Sequence, residues 1–285
     1  MNAPQSPLAS TAFSVAIADH VARITLSRPD KANSMIPEFW NDLPRVVRDI
    51  DANARARAIL LSAQGKHFSS GMDLSVFAGS ALAGEEADVA RRGEAFVHHV
   101  RTLQDAFSCL DEARMPVVAA IQGACVGAGV DLVTACDIRY ATQDAFFCIQ
   151  ETNIGMTADV GTFPRLCHIV PQGWVRELAY TGRRLPAAKA KEIGLVNEVF
   201  ASHAEMMEAA EATAREIAAK SPVAVAGCKR VINHARDHGV RDTLDFIGVW
   251  NAAMIRTEDM RLALEAQMKK TSPEFQDLLP VKRGL

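Results

Sequence analysis

Hydrophobic residues along this chain switch between two periods, and the switches mark out its elements. Residues 13–27, FSVAIADHVARITLS, alternate apolar and polar positions on either side of Asp19-His20, which predicts two strands joined by a tight turn. Residues 36–50 carry Phe39, Leu43, Val46, Val47 and Ile50 at helical spacing, with Pro44 as an interruption. ARAILLSAQG then reads as a short buried strand stopped by Gly65, and KHFSSGMDL as a loop. Residues from about 85 to 114 form a long amphipathic helical pattern, followed by the buried strand PVVAAIQG and a glycine-rich elbow into the helix GVDLVTACD. IRYAT and AFFCIQ return to strand character. The strand–helix–strand rhythm predicts an α/β fold with largely parallel pairing.

After residue 200 the strands stop. HAEMMEAAEATAREIAAK, PVAVAGCKRVINHAR and DTLDFIGVWNAAMIRTEDMRLALEAQMKK predict three helices in succession. The chain therefore divides into an α/β core over residues 1–200 and a helical region over 201–285.

Composition narrows the function more than the fold. Of 285 residues, 49% are hydrophobic and 23% charged, the balance of a chain that buries a sizeable core. A net charge of −3 gives no basic face for nucleic acid, and no apolar run is long enough to cross a bilayer. Cys109, Cys125, Cys136, Cys148, Cys167 and Cys228 include no C-x-x-C pair, so no metal site is expected, and most read as small buried hydrophobes in a reducing compartment. MNAPQSPLASTAF lacks a basic segment followed by an apolar stretch, and VKRGL differs from a Ser-Lys-Leu address, which makes a cytoplasmic location the expectation.

The chemistry is concentrated in two strand-to-loop transitions, FSSGMDL (68–74) and GACVGAGVD (123–131). Small residues let a backbone approach a ligand with its N–H groups exposed, and the second loop also opens a helix, whose first N–H groups are unpaired. Two such donors aimed at one point form an oxyanion hole. A packing turn is the plain alternative for the second loop. A dinucleotide fingerprint is disfavoured, because the order is G-x-x-x-G-x-G rather than G-x-G-x-x-G.

FSSGMDL, then IQGACVGAGVDLVTACDIRYAT, then TGRRLPAAKAKEIGLVNEVF resemble the motifs of the crotonase (enoyl-CoA hydratase/isomerase) superfamily, in order and in spacing. The resemblance runs from about residue 13 to 235. It implies a crotonase-like spiral of ββα units with a C-terminal α-helical trimerisation region, assembly as a homotrimer or homohexamer, and an acyl-CoA thioester as substrate without a separate cofactor. It further implies that the N–H groups of Ser70 and Ala128 hold the thioester oxygen. Lys66, Gly71, Met72, Asp73 and Leu74 join them as candidate substrate contacts; a solvated lysine is the alternative for Lys66.

Three carboxylates share this frame: Asp131 and Glu151 at the two acid positions of the superfamily, and Asp159 where hydratases carry glycine. The set is similar to that of the Δ3,5-Δ2,4-dienoyl-CoA isomerases within the superfamily. The resemblance implies that Glu151 serves the carbon next to the thioester and Asp159 the distal carbon, with Asp131 as a supporting acid. Each has a plainer reading: Asp131 as a first-turn carboxylate favoured by the helix dipole, Glu151 as a strand-end surface residue, Asp159 as a helix N-cap. The competing functions are enoyl-CoA hydration or another crotonase-family acyl-CoA isomerisation, which leave Asp159 unexplained, and a non-catalytic scaffold, which needs none of the acids. His98 and His99, adjacent on a helix, read as a solvated face. Ser69 and Ser70 lack a His/Asp partner pattern for a nucleophile, while Met206, Met207 and Trp250 read as core or subunit contact.

Overall fold

The computed structural model describes residues 8–73, 76 and 88–281. β1 (Phe13–Ala18) and β2 (Val21–Leu26) pair antiparallel through Asp19 and His20, both at positive φ (52° and 58°), as a two-residue hairpin turn requires. β3 (Ala58–Ala63), β4 (Val117–Ile121), β6 (Ile138–Thr142) and β9 (Glu198–Phe200) extend the sheet, each parallel to its neighbour, in the order β1-β2-β3-β4-β6-β9. β3 is buried at every position, which is why AILLSA reads as a continuous apolar run rather than an alternation. A smaller sheet joins β5 (Ala124–Val126), β7 (Phe146–Cys148) and β8 (Leu185–Pro186).

Each face of the main sheet has its own helical cover. On one side lie α1 (Pro37–Ala52) and α2 (Val89–Glu112), packed through Phe39, Trp40, Leu43 and Val46 against Phe107 and Leu110. α1 continues through Pro44, whose lost hydrogen bond is offset by this fully buried face. α2 starts at the N-cap Asp88, whose carboxylate accepts from the N–H groups of Ala90 and Arg91.

The other side is covered by α7 (His203–Ala218). Met206, Ala210, Ala214 and Ala218 recur every four residues and let α7 lie close on Val21, Ala58, Leu60, Val118 and Ala120. The helical region after residue 200 thus begins as part of the core's own packing, and Met206 is a core residue. Between the two covers come α3 (Ala128–Thr134), α4 (Thr162–Leu166), α5 (Gln172–Thr181) and α6 (Ala187–Glu192).

The third helical pattern of the C-terminal region is two helices in the structure. α8 (Pro222–Asp237) is followed by α9 (Val240–Met254) and α10 (Thr257–Lys269), because Ile255 and Arg256 turn extended (ψ 119° and 106°). Glu258 and Asp259 in the first turn of α10 favour a fresh helix start, and the Ser221 hydroxyl donates to Asp259. Lys229 on α8, 6% exposed, anchors this region by donating to Asp137 (2.8 Å) and to the carbonyl of Leu110 (2.8 Å).

Candidate active site

The two glycine-containing loops lie side by side because they are hydrogen-bonded as a short parallel ladder. The N–H of Phe68 donates to Gln122 O (2.8 Å), that of Ser69 to Ala124 O (3.0 Å), and that of Val126 to Ser69 O (3.0 Å). On its other edge the first loop pairs with Met35: Met35 N–H donates to Gly71 O (2.8 Å) and Asp73 N–H to Met35 O (3.0 Å). Successive peptide groups of an extended chain face opposite ways, so Met72 N–H points away from Met35. Among the described residues it has no acceptor, and neither has Ala128 N–H at the first position of α3.

This arrangement corrects one expectation. Ser70 N–H is engaged, donating to Ala32 O at 2.9 Å, so the unengaged amide of the first loop belongs to Met72, two residues on. Gly71 between them sits at φ +88°, and a Cβ there would meet Val126 O at 2.7 Å and Ala128 N at 3.2 Å. The two loops therefore touch at this glycine, and no larger residue fits.

Both amides open on a cleft of about 290 Å3, lined among others by Ser70, Gly71, Met72, Ala128, Asp131, Glu151 and Asp159. Phe96, His99, Val100 and Leu103 form its far wall. Lys66 and Asp73 do not line it. Lys66 is exposed on the turn before the loop, and the Asp73 carboxylate is held outside by the Ser34 hydroxyl (2.7 Å) and Arg28 (3.5 Å). Leu74 lies outside the described residues.

The three carboxylates converge here from three elements. Asp131, 1% exposed in the first turn of α3, accepts from Thr162 N–H at 2.6 Å with Oδ1, while Oδ2 has no partner among the described residues. It thereby caps α4, and burial pushes its carboxyl up to about 6. Glu151 opens a 3-10 turn, Glu151–Ile154, and burial, reinforced by the neighbouring Asp131 and Asp159, pushes it up to about 7. A Cβ on Gly127 (φ +54°) would lie 3.3 Å from Glu151 Oε1, so the glycine leaves room for that side chain. Asp159 sits in the loop before α4, whose N-cap is Gly161; the N-cap reading of Asp159 is thus excluded. Burial raises Asp159 as well, and His99 opposes the rise. Three acids raised in one cleft titrate as a coupled set.

His99 is the residue that the sequence did not single out. It lies on the face of α2 that also presents Phe96, Val100 and Leu103 to the cleft, whereas His98 turns outward to Glu94 (2.7 Å). The signal was present, since 96, 99, 100 and 103 share one helical stripe; reading the adjacent histidines as a pair obscured it.

The fold has close parallels. The sequence profile of the enoyl-CoA hydratase/isomerase family matches residues 16–278. This chain belongs to that family. A peroxisomal Delta(3,5)-Delta(2,4)-dienoyl-CoA isomerase of Arabidopsis thaliana is 39% identical over 259 residues, covering 90% of this chain and 93% of the relative. A mitochondrial protein of the same name from Rattus norvegicus is 41% identical over 252 residues, covering 88% and 77%. Among solved structures of the family, a putative enoyl-CoA hydratase from Streptomyces coelicolor superposes with a TM-score of 0.86 at 28% identity, covering 97% of this chain and 98% of its own. The crotonase-type α/β spiral expected from the sequence is thus the fold of the protein. Among the described residues, no helix is long and apolar enough to cross a membrane.

Proposed function

We propose that this enoyl-CoA hydratase/isomerase family member isomerises 3,5-dienoyl-CoA thioesters to their 2,4-dienoyl isomers. The observation that carries the reading is the presence of Asp159 in the same cleft as Glu151, beside the two unengaged amides. The likeness to proteins named dienoyl-CoA isomerases supports it.

The thioester oxygen is received by Met72 N–H and Ala128 N–H, which stabilise the negative charge that develops there. Ionised Glu151 takes a proton from the carbon next to the thioester. The electrons move through the diene, and protonated Asp159 returns a proton to the far end. Burial raises both carboxyls, Glu151 to about 7, and the shared cleft lets one carry a proton while the other is ionised. Asp131 ties the start of α4, and with it the loop bearing Asp159, to α3. Gly71, Ser70 and the apolar residues of α2 surround the acyl chain.

The reading includes a trimer or a hexamer, for which the unburied apolar residues Leu244, Val249, Met254, Met260 and Leu264 on α9 and α10 provide a surface. It also retains a cytoplasmic location, to be checked by fractionation, and a two-part division with α7 counted in the core, whose boundary limited proteolysis checks. Light scattering checks the assembly.

The deciding assay offers purified protein a 3,5-dienoyl-CoA and an enoyl-CoA. Growth of the conjugated 2,4-diene absorbance, lost in Asp159→Asn, is the expected result. Rapid hydration of the enoyl-CoA that persists in Asp159→Gly would replace isomerisation with hydration.

A further inference from the structure

Each turnover in the proposed reaction leaves the site out of register with its starting state. Glu151 ends with a proton and Asp159 without one, so the proton must be returned before the next substrate. Asp131, 1% exposed, offers Asp159 no route to water, and direct return from Glu151 would leave kcat independent of any other group.

His99 is placed for this task. It is half-buried and lines the same cleft as Asp159. α2 is held in register with the Asp159 loop, because Gln104 Nε2, five residues along the same helix, donates to Asp159 O at 2.7 Å. The titratable groups around Asp159 are then His99 from α2, Glu151 from its 3-10 turn and Asp131 from α3; Arg165 on α4 acts on Asp131. His99 is the one basic group lining the cleft among the described residues, and it opposes the upward shift of Asp159. Imidazole is a side chain that can both donate and accept a proton.

We propose that His99 returns the proton to Asp159 between turnovers. After product leaves, the imidazolium gives its proton to the Asp159 carboxylate and becomes neutral. It is reprotonated from water while Glu151 releases its proton to solvent, so no proton is gained or lost overall. This inference rests on the isomerase reading and assigns His99 a positioning and relay role, with no contact to the reacting carbons.

The test is His99→Gln, assayed with a 3,5-dienoyl-CoA across pH with and without added imidazole. Because the return step follows product release, kcat is expected to fall roughly tenfold, less than the 100-fold or more of a direct acid or base, while kcat/KM stays within about twofold. Imidazole in solution should restore kcat in a saturable manner, and His98→Gln should change neither constant. An unaltered kcat in His99→Gln would overturn the inference while leaving the isomerase reading intact. So would a parallel loss of kcat and kcat/KM without rescue, which would make His99 a packing residue. Absence of turnover by the unmodified protein would overturn the isomerase reading, and the relay with it.

Discussion

The two ends of the cleft are built from different materials. At the thioester end the functional groups are main-chain amides, fixed by a ladder that joins residues 68–69 to 122–126 and residues 71–73 to Met35. At the acyl end they are side chains on three separate elements, held by single hydrogen bonds such as Thr162 N–H to Asp131 and Gln104 to Asp159 O. The first end depends on backbone shape and tolerates most side-chain changes; the second depends on residue identity. A shared grip on the thioester with exchangeable acids is how one fold can carry several reactions.

The contrast yields graded expectations. The largest effect belongs to the acyl end: Glu151→Gln should lower kcat/KM by about 1,000-fold, within the span of a general base. The same substitution reports on stability. The folded-state carboxyl is raised to about 7, so its contribution is present at low pH and lost as pH rises through that value. Removing it should therefore raise the melting temperature at pH 8 relative to pH 6, equivalent to about 1–3 kcal/mol, which a thermal melt at both pH values checks. In the intact protein kcat/KM should rise with pH across the same range, as Glu151 ionises.

Asp159→Asn should cost about 100-fold in isomerisation, measured by 2,4-diene absorbance, with thioester binding retained in a competition assay. Gly71→Ala probes the thioester end where it is most constrained. Its φ of +88° and the 2.7 Å approach to Val126 O mean the ladder must shift, with an expected loss of about tenfold in kcat and of about 1–3 kcal/mol in stability by denaturant unfolding. The smallest effect is expected from Met72→Leu, within about threefold in kcat, since its proposed contribution is a main-chain donor. A large loss there would break the contrast.

The sequence made the elements legible wherever periodicity was clean. The hairpin at Asp19-His20, the buried strand over Ala58–Ala63 and the stripe along Pro37–Ala52 are all readable from local pattern. Asp131, Glu151 and Asp159 were legible as a set because they stand in motifs, and the structure brings them into one cleft. The assignment of the first donor to Ser70 failed because an amide's availability depends on which distant segment takes it. Nothing within FSSGMDL reveals that Ala32 and Met35 fill that role. Lys66 and Asp73 stand near these amides in sequence but do not line the cleft. The break at Ile255-Arg256 was hidden by apolar residues that continue across it, although Thr257-Glu258-Asp259 is a helix-start signature.

The hydrogen bond between Asp131 and Thr162 N–H has a bearing on any attempt to redesign the reaction. Its 2.6 Å span makes the length of that acid a ruler for where α4 begins, and hence for where Asp159 stands. A glutamate grafted at 131 would push against the ruler by one methylene, so exchanging one chemistry for another would require resetting residues 155–162 together with the acid itself.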